Sequence, residues 1–124
     1  MRIREEIRED VAVLTVSGAL MDGPEVAVFH DRIKQLILGG INKVVVDFSK
    51  VRWFGSSMLG VLTSSLITVR KEGGDMRLAG VTKRIESIMM VTQLSGLFRT
   101  LDTVDRAVAS FMTQPPEPAP QEDE

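Results

Sequence analysis

Three valines in a row, Val44-Val45-Val46, closed by Asp47 and Phe48, constrain this chain more than any other feature. A β-branched run without polar alternation marks a strand covered on both faces, as parallel strands are. Ser49 to Phe54 then reads as a brief crossing, and Gly55-Ser56-Ser57 opens a helical pattern. Met58, Leu59, Leu62, Leu66 and Val69 keep the three-and-four spacing of one helix face. Lys71-Glu72-Gly73-Gly74 ends it, with glycine for a left-handed cap and lysine suited to the negative helix end. A strand therefore feeds a loop, and two serines stand where the next helix begins. First-turn N–H groups lack helical acceptors and carry partial positive charge. A serine there caps the helix through its hydroxyl, or carries a phosphate that the helix start favours. From this stretch alone, capping is the simpler reading.

The flanking segments extend the pattern on both sides. Met1 to Arg8, with Ile3 and Ile7 among charges, reads as an exposed edge strand. Glu9-Asp10 turns it back into a strand, Val11 to Val16. Val11, Val13 and Thr15 fall on one face of that strand and Ala12, Leu14 and Val16 on the other. The pair makes a hairpin. Ser17-Gly18-Ala19-Leu20 leaves the sheet. Asp22-Gly23-Pro24-Glu25 starts a helix, and Val26, Phe29, Ile33, Leu36 and Ile37 mark its inner face before Gly39-Gly40 ends it. The return to Val44 closes a right-handed strand–helix–strand unit. Beyond the central helix, Met76-Arg77-Leu78-Ala79 is a short strand broken by Gly80. Thr82 caps a third helix with Ile85, Ile88, Met89 and Thr92 inward, ended by Leu94-Ser95-Gly96-Leu97-Phe98 with Gly96 as its cap. Thr100-Leu101 adds a minimal strand. Asp102-Thr103 caps a last helix that buries Val104, Ala107, Val108 and Phe111.

The order is ββαβαβα(β)α. It predicts an α/β fold: one domain with a mixed sheet of four to five strands covered by about four helices. The domain spans residues 1–112, and 113–124 is an acidic, Pro-rich tail with nothing to bury, read as disordered.

With 124 residues and 44% apolar content, one domain with a real core is expected. A net charge of −2 is no electrostatic footprint for nucleic acid. The absence of cysteine excludes disulfides and thiolate chemistry. No segment looks like a signal peptide and no apolar run reaches membrane-spanning length, so a cytoplasmic protein without membrane insertion is the expectation.

Taken together, three stretches resemble the STAS domain family, the fold of bacterial anti-sigma factor antagonists. Val16-Ser17-Gly18-Ala19-Leu20 is similar to the family's strand exit before the first helix. Val44 to Val61 is similar to its strand, crossing and serine-bearing helix start, where the usual form is Asp-Ser-Ser/Ala-Gly-Leu-Gly. Leu94 to Phe98 is similar to its helix end. The resemblance spans roughly Ile3 to Phe111. It implies an antagonist that binds an anti-sigma factor acting as a serine kinase and so frees a sigma factor for transcription. The kinase phosphorylates the second position of the serine pair, here Ser57, with Ser56 as the alternative, and a serine phosphatase reverses it. The partner surface implied comprises Gly55, Ser56, Ser57, Met58 and Gly60, to which an exposed Trp53 would add an aromatic anchor of the kind interfaces favour. Such a protein is a substrate and a ligand, not an enzyme.

Two positions depart from the family form. Gly55 replaces the aspartate before the serines, removing a carboxylate that caps the helix or assists the kinase; Ser56 is then the expected cap. Met58 replaces the following glycine. It either packs inward or stands beside the acceptor. A non-switching STAS module is the second reading: a scaffold in a signalling assembly, or the accessory subunit of a membrane lipid transporter. The third, a small hydrolase, lacks support. Gly55-Ser56-Ser57-Met58-Leu59-Gly60 places the second glycine one residue too late for a nucleophile elbow. The lone histidine, His30, beside Phe29 and Asp31, reads as solvated. No Walker loop or other cofactor motif is present, and Asp22, Glu25 and Asp31 make no convincing metal set. At least one of Trp53 and Phe54 closes the core under the central helix. Arg52, Lys83 and Arg84 form either a basic rim or a plain solvated surface. The edge of the opening hairpin is the candidate surface for a homodimer.

Overall fold

The computed structural model describes residues 2–20, 24–91 and 96–113. Five strands and four helices alternate: β1 (Arg2–Arg8), β2 (Val11–Leu20), α1 (Pro24–Leu38), β3 (Lys43–Phe54), α2 (Ser56–Lys71), β4 (Asp75–Ala79), α3 (Lys83–Val91), β5 (Thr100–Leu101) and α4 (Val104–Thr113). The sheet order is β1-β2-β3-β4-β5, the same as the order in sequence. β1 runs antiparallel to β2, and every later neighbour is parallel. The sheet is therefore mixed, as the hairpin requires. Each crossover steps one strand in the same direction. Right-handed connections then place α1, α2 and α3 on one face.

The strand residues divide accordingly. Ala12, Leu14, Val16, Val44, Val46, Phe48, Met76 and Leu78 meet the inner faces of α1, α2 and α3. Val11, Val13, Val45 and Ala79 point the other way, into a smaller core closed by Ala107, Val108 and Phe111 of α4. The triple valine is thus covered on both sides, which explains its lack of alternation.

The helix ends follow from their glycines. After α1, Gly40 takes φ +88° and its N–H reaches the Ile37 carbonyl, while Ile41 N–H reaches Leu36. After α2, Gly73 takes φ +82° and repeats the same pair of bonds to Arg70 and, through Gly74, to Val69. Both are Schellman ends, in which a left-handed residue satisfies carbonyls the helix leaves open. The Thr82 hydroxyl accepts from Ile85 N–H at 3.3 Å and Thr103 from Arg106 N–H at 3.1 Å, capping α3 and α4. Thr92, Leu94 and Ser95, and with them the end of α3 where Gly96 was expected to cap, lie outside the described residues, as do Asp22 and Gly23. α4 takes in Thr113, at the head of the expected tail.

Two expectations fail in the same region. Ser49–Phe54 is not a crossing, and Ser17–Leu20 does not leave the sheet. Both stay paired as extensions of β3 and β2. Their register shifts twice: Thr15 and Ser17 face Asp47 and Lys50, then Gly18 and Ala19 face Val51 and Trp53. At each shift β3 carries one residue more than its partner, which is a bulge. Each bulge turns the following residues over. Core residues therefore recur at Phe48, Val51 and Phe54 instead of at every second position. A period of three disguised this half of the strand.

Ser65 lies fully buried on the inner face of α2, and its hydroxyl has no hydrogen-bond partner. A buried hydroxyl left unpaired carries its desolvation cost without return. Ser65→Ala is expected to stabilise the domain by about 1 kcal/mol, helped by alanine's helix propensity. A urea midpoint that fell instead would contradict this.

Candidate functional site

β4 pairs with β3 only along Lys43–Asp47. Beyond Asp47, β3 and β2 continue as a two-stranded ribbon past the rest of the sheet. The departure is fixed by a short-range lock. Asp47 Oδ1 accepts from Ser49 N–H at 3.0 Å, and Gly80, at φ +66°, takes β4's chain away beside it. A Cβ at Gly80 would stand 2.9 Å from Ser49 Cβ and 3.1 Å from Asp47 Oδ1, so only glycine lets the two strands part this closely.

The ribbon ends by splitting its aromatics. Phe54 is buried edge-on against Phe48, with ring centroids 5.8 Å apart at 74°. Trp53 points outward and keeps 41% of its surface exposed. One aromatic of the pair thus closes the core and the other faces solvent. Lys50 and Arg52 are exposed on the same ribbon, and Lys83 and Arg84 at the start of α3 are exposed too. Lys50 escaped the sequence reading because no face was assigned to a segment taken for a crossing.

α2 starts directly after the ribbon. Gly55 is its N-cap, with φ −99° and ψ −177°, and no side chain caps the helix. Any residue adopts that conformation, so the backbone does not require glycine here. Ser56 is the first helical residue and not the cap expected of it; a residue already inside the helix cannot aim its hydroxyl back at the N–H groups of the next turn. No acidic residue occupies the first turn. The helix start therefore keeps its partial positive charge uncompensated from its own side chains.

Ser56 and Ser57 are both exposed, and among the described residues neither hydroxyl has a hydrogen-bond partner. Three hydroxyls farther along α2 are engaged, though Ser65's is not: Thr63 donates to the Leu59 carbonyl, Ser64 to Gly60 and Thr68 to Ser64. A first-turn serine has no carbonyl four residues back inside its helix. Met58 is fully buried in the main core, so it packs inward and does not stand beside the serines. Gly60 is exposed, and a Cβ there would meet nothing within 4 Å. Of the expected partner strip, Trp53, Ser56, Ser57 and Gly60 are exposed and Gly55 is half-buried. Met58, fully buried, is out of a partner's reach and does not belong to it, because its place on the inner helix face turns it into the core.

His30 corrects another expectation. Its Nε2 is buried without a partner, so the ring is not simply solvated. No hydrogen bond links it to either serine. Among the described residues no three His, Asp or Glu side chains come together. A groove of about 270 Å³ lined by Val81, Glu86, Met89, Thr100, Leu101 and Asp102 lies at β5 and includes neither serine. Among the described residues no helix is long and apolar enough to cross a membrane.

The profile of the STAS domain matches residues 2–107. The chain belongs to the STAS domain family. Among STAS relatives, a Thermotoga neapolitana protein named as an anti-sigma factor antagonist is 30% identical over 69 residues, covering 56% of this chain and 61% of that protein. The chain thus matches only about three fifths of the length of this relative. The crystal structure of a Thermotoga maritima protein with the same designation superimposes with a TM-score of 0.78 at 22% identity, covering 87% of this chain and 92% of that one. SpoIIAA, an anti-sigma factor antagonist and Bacillus cell fate determinant, shares the STAS fold in both its unphosphorylated form (TM-score 0.76, 14% identity, 90% of this chain and 96% of that one) and its phosphorylated form (0.69, 15%, 87% and 97%).

Proposed function

We propose that this STAS domain is an anti-sigma factor antagonist that binds an anti-sigma factor serine kinase and is switched off by phosphate on Ser57. The observation that carries the proposal is Ser57 itself: exposed, without a hydrogen-bond partner among the described residues, and set in the first turn of α2, four residues after an exposed tryptophan. The relatives named as antagonists, and SpoIIAA's existence in a phosphorylated form, support it.

The physics of the switch is local. A phosphate brings roughly −1.5 to −2 charges at neutral pH. The uncapped start of α2 receives that charge favourably, so the fold does not need to change. What changes is the surface, which now presents a hydrated dianion where a partner would have to desolvate it. Gly60 fits the same reading. Nothing inside the domain excludes a side chain there, yet a helix-interior glycine costs about 1 kcal/mol relative to alanine. A partner pressing on this strip supplies the reason. The protein acts as ligand and substrate, and a serine phosphatase resets it.

The second reading is a STAS module that never switches, serving a signalling assembly or a lipid transporter. The observation on its side is Gly55, which leaves the cap without the carboxylate of the family form.

The test is phosphopeptide mass spectrometry on the protein from its own cells. Cleavage after Arg52 and Arg70 releases Trp53–Arg70 with both serines. A phosphate on that peptide, retained in Ser56→Ala and absent in Ser57→Ala, is expected, together with a loss of about 30-fold or more in kinase affinity for Ser57→Asp. An unmodified peptide through growth, starvation and stress would sink the switch and leave the non-switching module.

A further inference from the structure

β1 is the outer strand of the sheet, and among the described residues one of its edges has no neighbouring strand. Its sequence is Arg2-Ile3-Arg4-Glu5-Glu6-Ile7-Arg8. Ile3, Glu5 and Ile7 lie on the α1 side: Ile3 packs on the main core, and Arg32 of α1 donates to Glu5 at 3.2 Å. Arg2, Arg4, Glu6 and Arg8 lie on the α4 side, where Arg8 holds Asp105 of α4 at 2.8 Å. Ile7 is 45% exposed, an apolar side chain on an open strand edge.

Natural edges are blunted by charge, usually of one sign, so that two copies repel. Here the signs alternate in a way that fits a second copy. A twofold axis perpendicular to the sheet sets two β1 strands antiparallel, with like-facing residues opposite one another. Centred on Glu5, that arrangement puts Arg4 against Glu6 of the second copy, twice, and Ile3 against Ile7, twice. The remaining like-charged contacts involve groups already compensated within each chain: Glu5 by Arg32 and Arg8 by Asp105. Sliding two residues either way places an isoleucine against Glu5 and loses the apolar match.

We infer that β1 is a self-recognition edge, through which a second copy of this chain pairs in the register Arg4–Glu6 and Ile3–Ile7. The pair joins two five-stranded sheets into one of ten strands. The patch is small, so the association is weak and concentration-dependent. Because the two copies run antiparallel, their Ser57 strips face opposite ends of the joined sheet, and neither is covered. This inference does not rest on phosphorylation of Ser57.

Sedimentation of the full chain between about 10 µM and about 1 mM tests it. Arg4 and Glu6 are exposed and make no ion pair among the described residues, so substituting them leaves the fold alone. Wild type is expected to dimerise as concentration rises. Arg4→Glu and Glu6→Arg each turn two attractive contacts into two repulsive ones and weaken the dimer about tenfold. The double variant Arg4→Glu/Glu6→Arg restores both contacts with signs exchanged and recovers the wild-type constant. A wild type that stays monomeric overturns the inference. So do single variants as tight as wild type, or a double variant as weak as the singles.

Discussion

Gly74→Ala is expected to cost about 4 kcal/mol, close to the largest loss a single substitution causes in a domain of this size. Gly74 follows the left-handed residue that ends α2, and there the chain crosses directly over the residue before β3. A Cβ built on Gly74 stands 1.7 Å from the Asn42 carbonyl oxygen and 2.7 Å from Asn42 Cβ. The obstacle is mostly backbone, so no rotamer change relieves it. That carbonyl also accepts the Asp75 N–H at 3.0 Å, and the Asn42 amide holds the Glu72 carbonyl at 2.9 Å. Moving Asn42 aside breaks both bonds and the first rung between β3 and β4. Gly60→Ala is the internal control. It lies inside α2, the helix that Gly74 follows, with nothing within 4 Å, and should gain about 0.5–1 kcal/mol from helix propensity alone. Urea unfolding of both variants checks the pair. A Gly74→Ala protein within about 1 kcal/mol of wild type would mean that α2 ends differently.

Arg77→Ala is expected to cost about 3 kcal/mol, by loosening α4 from the sheet. Arg77 sits in β4 opposite Val45, on the face that α4 covers, and its side chain is only 4% exposed. Its Nη1 donates to Ser110 Oγ at 2.7 Å, its Nε to Asp75 Oδ2 at 3.0 Å, and its guanidinium lies 4.0 Å from the Phe111 ring centre. Truncation leaves Asp75 and Ser110 without that donor and empties space beneath Phe111. Arg77→Met keeps the apolar stem and loses only the charge contacts, so about 1–2 kcal/mol is expected. Thermal unfolding read by circular dichroism separates the three proteins. If methionine proves as damaging as alanine, the charge contacts and not the packing hold α4.

Arg77 also shows what a linear sequence hides. An arginine within a five-residue strand carries no periodic signal, and its role exists only because Ser110 and Phe111 arrive from α4. The glycine pairs were different. Gly39-Gly40 and Gly73-Gly74 announced helix ends because left-handed backbone is a local requirement, and both ends formed as expected. The order of strands and helices, the split of β2 into two faces and the inward helix residues were legible for the same reason: each repeats at a fixed spacing. That spacing failed along Ser49–Phe54, where two bulges replaced a period of two with three. The site was legible by half. Two serines at a helix start were visible in the chain, and Met58 took the apolar role its spacing allowed. That Gly55 would be a bare cap, that Trp53 would face out while Phe54 turned in, and that Lys50 would join the exposed ribbon all depended on pairing with β2.

Because the strands stand side by side in the order in which they occur in the chain, no strand has to be threaded between two that are already paired. During synthesis each new strand finds its neighbour already made. The second face is treated differently. Val11, Val13 and Val45 wait uncovered until α4, the last of these four helices to emerge, closes over them. Until then the nascent domain has one finished side and one sticky one.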